Sequence, residues 1–427
     1  MNLNTLIERH KSGVPVGIAG ICSAHPVVLE ATLALGRDTG RPVLIESTCN
    51  QVNHRGGYTG QTPAEFVAHV ARQAKRVGLP RERLILGGDH LGPGPWQKMP
   101  VAVAMDEARA LVAAYAQSGY AKIHLDASMP LADDPPGPLA VATIAERAAD
   151  LAVVAEAHRR PGAPPPVYVI GTEVPVAGGL PGEEHSFAVT RPTDAAETLA
   201  ASRKAFVARG LGDTWQRVIA LVVQPGVEYG DETIIDYDRP AAADLSRFVE
   251  SQSGLVYEAH STDYQTPAAL RALVEDHFAI LKVGPALTFA YREALFALEA
   301  IEVEWLGGRA GVELSRLRAT LDAAMIANPA YWRPYYGGDD AALARKRAYS
   351  FSDRSRYYWP VPEVGMAVAR LQANLSAAPL PLALLSQFLP RQFIRVRDGR
   401  LANAMPALAA DAVTDVLRDY FAATQGE

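Results

Sequence analysis

The dipeptide Asp89-His90, in LGGDHLGP, sets a carboxylate beside an imidazole, a base next to a metal donor. His260 in EAHSTD supplies a second imidazole, and Glu173 in GTEVPVAGG another carboxylate. Two imidazoles and a carboxylate suit a borderline divalent cation such as Zn²⁺, with positions left open for substrate or water. Asp89 then stands where a general base could exchange a proton with a substrate oxygen held at the metal. Glu46, Asp126, Gln224, Glu228, Ser261, Asp263, Lys282 and Gly284 share one feature with these residues: each ends or follows a short apolar run. The alternatives are structural. A single histidine at such a position usually just hydrogen-bonds its surroundings, and Glu173 alone would serve equally as a helix cap or an arginine partner. His10, His69, His158 and His277 fall on helices or their flanks and read as structural, whereas His54 and His185 sit in loops and are left open.

The apolar runs decide how such scattered residues could meet. Pro15–Ala19, Pro42–Glu46, Arg83–Gly87, Ala121–Leu125, Val167–Gly171, Arg217–Val223, Gly254–Ala259 and Phe278–Val283 are nearly continuous and β-branched, as parallel strands buried on both faces must be. Helix-period segments alternate with them, among them Thr62–Gly78, which opens on Thr62-Pro63 and closes on a glycine. This alternation predicts an α/β protein, a (β/α)8 TIM barrel over residues 1–301, with a helical C-terminal extension over 302–427 packed against it. The competing doubly wound sheet usually carries a Gly-rich phosphate turn after its first strand, and AGICSAHP stands there instead. In a barrel the chemistry sits at the C-terminal ends of the strands, where all the residues above would face one mouth. The long loop after the second strand adds Gln51 and Asn53 as candidate substrate contacts. A phosphate is expected on backbone N–H groups near Ser261 and Gly284, with Lys282 and Arg354 or Arg356 adding charge.

Bulk properties narrow the partners. With 41 Lys and Arg against 47 Asp and Glu, the net charge of -6 gives no reason to expect nucleic acid or an anionic membrane. Two cysteines, Cys22 and Cys49, make no disulfide framework and suit a reducing compartment. The polar N-terminus lacks an apolar signal core, and no run approaches the ~18 apolar residues of a membrane span, so the cytoplasm is the expected location.

Several longer stretches carry a resemblance: GICSAHPVVLEA, VLIESTCNQVNHRGGYTG, LGGDHLGP, KIHLDASM, GTEVPVAGG, VVQPGVEYG, YEAHSTDYQT, LKVGPALTFAYREALFALE and SFSDRSRYYWP. Over its whole length the chain resembles the "Z" subunits of class II D-tagatose-1,6-bisphosphate aldolase. Those proteins include D-tagatose-6-phosphate and fructose 4-epimerase relatives and were once called tagatose-6-phosphate kinases. More distantly it is similar to the zinc-dependent class II fructose-bisphosphate aldolases. That likeness implies Asp89 as proton donor or acceptor and places Glu173 in a matching Gly-rich loop; Glu46, by its strand-end position, is expected with Glu173 as a further catalytic carboxylate. It implies His90, Glu173 and His260 on the metal, and a fourth ligand position where the aldolases have histidine and this chain has Gln224. No P-loop accompanies the kinase label.

The resemblance implies one of two functions in galactitol or tagatose catabolism. One is a metal-dependent 4-epimerase that interconverts D-tagatose 6-phosphate and D-fructose 6-phosphate. C4 lies β to the C2 carbonyl, so enolisation cannot invert it, but retro-aldol cleavage between C3 and C4 followed by re-addition can. The other is a non-catalytic subunit that stabilises and activates a separate class II D-tagatose-1,6-bisphosphate aldolase subunit. A phosphorylated ketose, that aldolase subunit and a second copy of the chain are the expected partners.

Overall fold

The computed structural model describes residues 2–171 and 188–426. Eight parallel strands close into one barrel, in the order Ile18–Cys22, Val43–Thr48, Leu84–Leu91, Lys122–Leu125, Val167–Gly171, Val218–Val222, Val256–Ala259 and Phe278–Val283, the last pairing with the first. A helix follows every strand, so the fold is the expected (β/α)8 barrel with a helical extension. The first strand begins three residues later than Pro15–Ala19, since Pro15 has no N–H to give a ladder. The third runs on to Leu91, past the predicted end at Gly87, with its register shifting between Gly88 and Leu91.

Local sequence explains the helices. Pro63–Val77 opens with a capping box, Thr62 accepting the Glu65 N–H while Glu65 reaches back to Thr62. It buries Phe66, Val70 and Ala74 on one face and stops at Gly78, in the left-handed region at φ 80°. A helix at the N-terminus, Leu3–Lys11, was not anticipated. Its Leu3, Leu6 and Ile7 join Ile18, Leu44, Ile85, Val169 and Ile280 in an apolar cluster, separate from the main core, that fills the barrel interior. That apolar floor leaves the upper interior to the polar residues.

The helix Pro285–Leu306 runs through positions 301 and 302, so the division expected there falls inside the eighth barrel helix. Beyond it, Leu317–Ala327, Asp340–Tyr349, Pro362–Leu375, Leu382–Phe388, Pro390–Arg397 and Met405–Ala423 form the extension. The last helix lies against Pro285–Leu306, Pro26–Thr39 and Pro267–Glu275, and Tyr420 Oη donates to Thr262 O at 2.7 Å. No helix among the described residues is long and apolar enough to cross a membrane.

Candidate active site

Alternation along the strands puts every second side chain inside the barrel. Glu46, Lys122, Glu258 and Lys282 use those inward positions just below the C-terminal mouth, and all are buried. Lys122 Nζ lies 2.7 Å from Glu46 Oε2 and 2.6 Å from Glu258 Oε2. Lys282 Nζ bridges Glu46 Oε2 and Asp89 Oδ1, each at 2.8 Å. Glu46 thus lies beneath the pocket as a counter-ion for two lysines. It does not line the cavity, which revises its expected place among the groups that touch substrate.

Two glycines make room for this array. A Cβ on Gly20 would stand 2.4 Å from Glu46 Oε1 and 3.0 Å from Lys282 Cδ, and one on Gly87 would stand 2.9 Å from Glu46 Cγ. Gly20→Ala is expected to destabilise the fold by about 1–3 kcal/mol, the usual cost of overpacking, measured by urea unfolding. A wild-type midpoint would show that Glu46 is free to move.

Three imidazoles stand above the charged layer. The ring centroids of His90, His124 and His260 are 4.8 to 5.2 Å apart. With Asp89 they offer four ligand atoms that all lie within 4.8 Å of one another. His90 Nδ1 bonds Asp126 Oδ2 at 2.8 Å, and His260 Nε2 bonds Glu258 Oε1 at 2.9 Å. Each carboxylate orients its imidazole and leaves the other ring nitrogen available, the arrangement that usually supports a metal-bound histidine. Glu46, Asp89 and Glu258 form a second acidic cluster, but Lys122 and Lys282 already occupy it.

Charge counting supports a cation at the imidazoles. Glu46, Asp89, Asp126 and Glu258 are four carboxylates against the two ammoniums of Lys122 and Lys282. A buried excess of two negative charges calls for a divalent cation or two extra protons. Without a metal the imidazoles feel that excess unequally. Burial lowers the pKa of His90, but Asp89 and Asp126 outweigh it and the net shift is upward. At His260 burial wins and the pKa falls to about 3. Burial raises the pKa of Asp89, but Lys282, His90 and the His124 hydrogen bond more than reverse this and keep it ionised. His90 also adopts φ 49°, a strained conformation for a non-glycine residue.

The cavity above is lined by Cys22, Gln51, Tyr58, Asp89, His90, Tyr229, His260, Ser261, Asp263, Lys282, Gly284 and Arg356, among others. Asp89, His90, His260, Lys282, Gln51, Ser261 and Gly284 therefore share one mouth. Glu173 and His185 lie outside the described residues. Other candidates stand elsewhere. Asn53 Oδ1 accepts the Arg55 and Gly57 N–H groups at 2.9 and 3.0 Å, so it shapes its own loop. Gln224 Oε1 accepts the Gly226 N–H at 2.8 Å, which commits it to a turn where a fourth ligand was expected. The Gly284 N–H is already donated to Asp263 Oδ1 at 3.0 Å, so the expected phosphate seat holds a carboxylate. Arg354 stacks over Tyr335 with its guanidinium carbon 3.1 Å from the ring centroid, whereas Arg356 lines the cavity. His54 pairs with Glu107 at 2.9 Å.

The sequence reading missed His124, Lys122 and Glu258. Their signal was present, because Lys122 and His124, like Glu258 and His260, are polar residues two apart in otherwise apolar strands. Such a pair marks one face of a strand, here the interior.

Glu228, behind Ser261, is fully buried, and burial raises its carboxyl from 4.5 to about 7. The folded state then holds this proton more tightly than the unfolded chain. The corresponding stability is full below about pH 4.5 and lost as pH rises through about 7, a swing of about 3 kcal/mol. Glu228→Gln should flatten that part of the stability-pH profile and stabilise the protein at pH 8, as followed by denaturant unfolding. An unchanged slope would mean that Glu228 is ionised throughout.

Fold and site together define a (β/α)8-barrel protein with a carboxylate, imidazole and lysine centre at its C-terminal mouth. The model of the D-tagatose-1,6-bisphosphate aldolase subunit GatZ/KbaZ-like family matches residues 3–425, and the chain belongs to that family. A Sinorhizobium meliloti 1021 protein, reported as a probable tagatose 6 phosphate kinase, is similar at 47% identity and a TM-score of 0.87, over 95% of this chain and 100% of that one. The Campylobacter jejuni fructose-bisphosphate aldolase matches at 13% identity and a TM-score of 0.45, over 86% of this chain and 90% of that one, too weakly to carry any argument.

Proposed function

We propose that this protein is a metal-dependent 4-epimerase interconverting D-tagatose 6-phosphate and D-fructose 6-phosphate. One observation carries the proposal: an ionised Asp89 clustered with three imidazoles, of which His90 and His260 line the barrel-mouth cavity with it and His124 lies buried behind them. A divalent cation, Zn²⁺ by its donor preference, would be held by His90, His124 and His260, and Glu173 stays a candidate ligand. The ion would supply electrophilic stabilisation of negative charge on the ketose oxygens.

The chain's own residues would do the rest. Asp89 would take the C4 hydroxyl proton as the C3–C4 bond breaks, leaving an aldehyde at C4. Once the aldehyde has turned its other face, the bond reforms and Asp89 returns the proton. Lys282 fixes one oxygen of that carboxylate, and Glu46, itself paired with Lys122, holds Lys282. Asp89 therefore meets its substrate in one orientation, which is how a positioned base gains its rate advantage.

A second reading follows from the family's description as an aldolase subunit. In it the barrel stabilises a separate class II tagatose-bisphosphate aldolase subunit. Incubating the purified chain alone with D-tagatose 6-phosphate, with and without Zn²⁺, Mn²⁺ or Mg²⁺, separates the two. The epimerase should form D-fructose 6-phosphate without a second protein. No conversion under any metal, together with increased activity of a co-expressed aldolase, would establish the subunit role.

A further inference from the structure

We propose that Arg356, delivered into the barrel mouth by the C-terminal extension, is the anchor for the substrate's phosphate and the source of preference for a phosphorylated over a free ketose. The proposal rests on the ketose reading above and specifies its substrate class. In many barrels a phosphate sits on backbone N–H groups at the helix N-terminus after the last strands. Here Asp263 fills that seat, its Oδ1 accepting the Gly284 N–H at 3.0 Å and the Ala286 N–H at 2.8 Å. A phosphate arriving there would meet a carboxylate already holding the donors. The anion must be bound elsewhere in the same cavity.

Among the cavity's lining residues, Lys282 and Arg356 carry fixed positive charge. Lys282 is committed to Glu46 and Asp89. Arg356 forms no ion pair with any carboxylate among the described residues; its partners are the carbonyls of Ser352 and Asp353 and, at 2.9 Å, Tyr357 Oη. A guanidinium on a cavity wall without a carboxylate can still take an anion, and its planar fork suits two phosphate oxygens. Tyr58, Tyr229 and Tyr357 line the same cavity, and the Arg356 guanidinium carbon lies 4.5 Å from the Tyr357 ring centroid. The tyrosines restrict the head group's position and can add hydroxyl donors.

The segment bearing Arg356 is held firmly. Asp353, at φ 41°, accepts from Thr288 Oγ1 at 2.6 Å and from Arg292 Nε at 2.9 Å, both on the eighth barrel helix. The Phe351 N–H donates to Asp231 O at 2.9 Å. An anchor preset in this way loses little entropy on binding. It also gives the extension a task at the site besides covering the barrel.

The test compares D-tagatose 6-phosphate with D-tagatose on wild type, Arg356→Met and Arg356→Lys. Steady-state kinetics give the ratio of kcat/KM between the two sugars, and calorimetry gives their relative affinity and that of inorganic phosphate. The phosphate-over-free ratio should fall about 10- to 100-fold in Arg356→Met, mainly through KM, and be partly kept in Arg356→Lys. Melting temperatures near wild type confirm that the fold is intact. If Arg356→Met misfolds, Arg356→Lys and wild-type calorimetry decide the matter. A wild type without preference for the phosphorylated sugar, or a ratio unchanged in both variants, overturns the anchor. If nothing is turned over but wild type binds the ester more tightly and the variants lose that margin, the epimerase reading fails and the anchor stands.

Discussion

Asp89→Asn should lower turnover of D-tagatose 6-phosphate by about 10²–10⁴-fold, the loss typical of removing a positioned general base. The amide keeps the shape of the carboxylate but cannot accept the C4 proton. Its oxygen can still take a hydrogen bond from Lys282, which lies 2.8 Å from Asp89 Oδ1. The local charge changes by one unit, so metal affinity should move far less than activity, and KM only modestly. That split is the informative part, since loss of an interaction made only at the reacting proton appears in kcat. The checks are single-turnover kinetics, metal content by elemental analysis and a melting curve. Turnover within a few-fold of wild type would place the base elsewhere. A protein that no longer folds would show that Asp89 matters mainly as a counter-ion for Lys282.

The barrel was legible in the sequence because parallel strands buried on both faces need unbroken apolar runs, and eight such runs alternate with helices here. The N-terminal plug was missed since Leu3, Leu6 and Ile7 are too few to set a helical period in a nine-residue helix. The third strand was ended too early, at Gly87, because the apolar run stops at Gly87 and Gly88. They are small residues under Glu46, Leu91 and Tyr115, and the strand continues through Asp89 and His90. Asp89, His90 and His260 stood out because they follow apolar runs, where barrel chemistry sits, and carry donors suited to a metal or a proton transfer. Lys122, His124 and Glu258 were passed over because they lie within the apolar runs and not at their ends, although polar residues two apart mark one face of a strand. The choice between Arg354 and Arg356 was beyond the sequence altogether. The two sit in one short 3-10 turn, and its orientation alone sends Arg354 to Tyr335 and Arg356 to the cavity.

His260→Ala should abolish metal retention and turnover together. His90 and His124 would remain beside Asp89, and a site that has lost one of its three imidazoles holds a divalent ion poorly against water and a chelator. The same change frees Glu258 Oε1, which His260 Nε2 now engages at 2.9 Å, but Lys122 still neutralises that carboxylate at 2.6 Å. The fold should therefore survive, with a stability loss no larger than the few kcal/mol of a small cavity and one buried hydrogen bond. His260→Gln is the companion variant, since its amide can still donate to Glu258 and fills most of the space, yet binds metal poorly. If metal binding drives activity, both variants lose the ion and lose turnover, and added Zn²⁺ restores neither. If His260 only props Glu258, the glutamine should recover activity that the alanine lacks, and the metal content of both should equal that of wild type. That second pattern would move the cation off the imidazole cluster and leave the two buried negative charges to be balanced by protons, with His90, whose pKa is already raised, first to hold one.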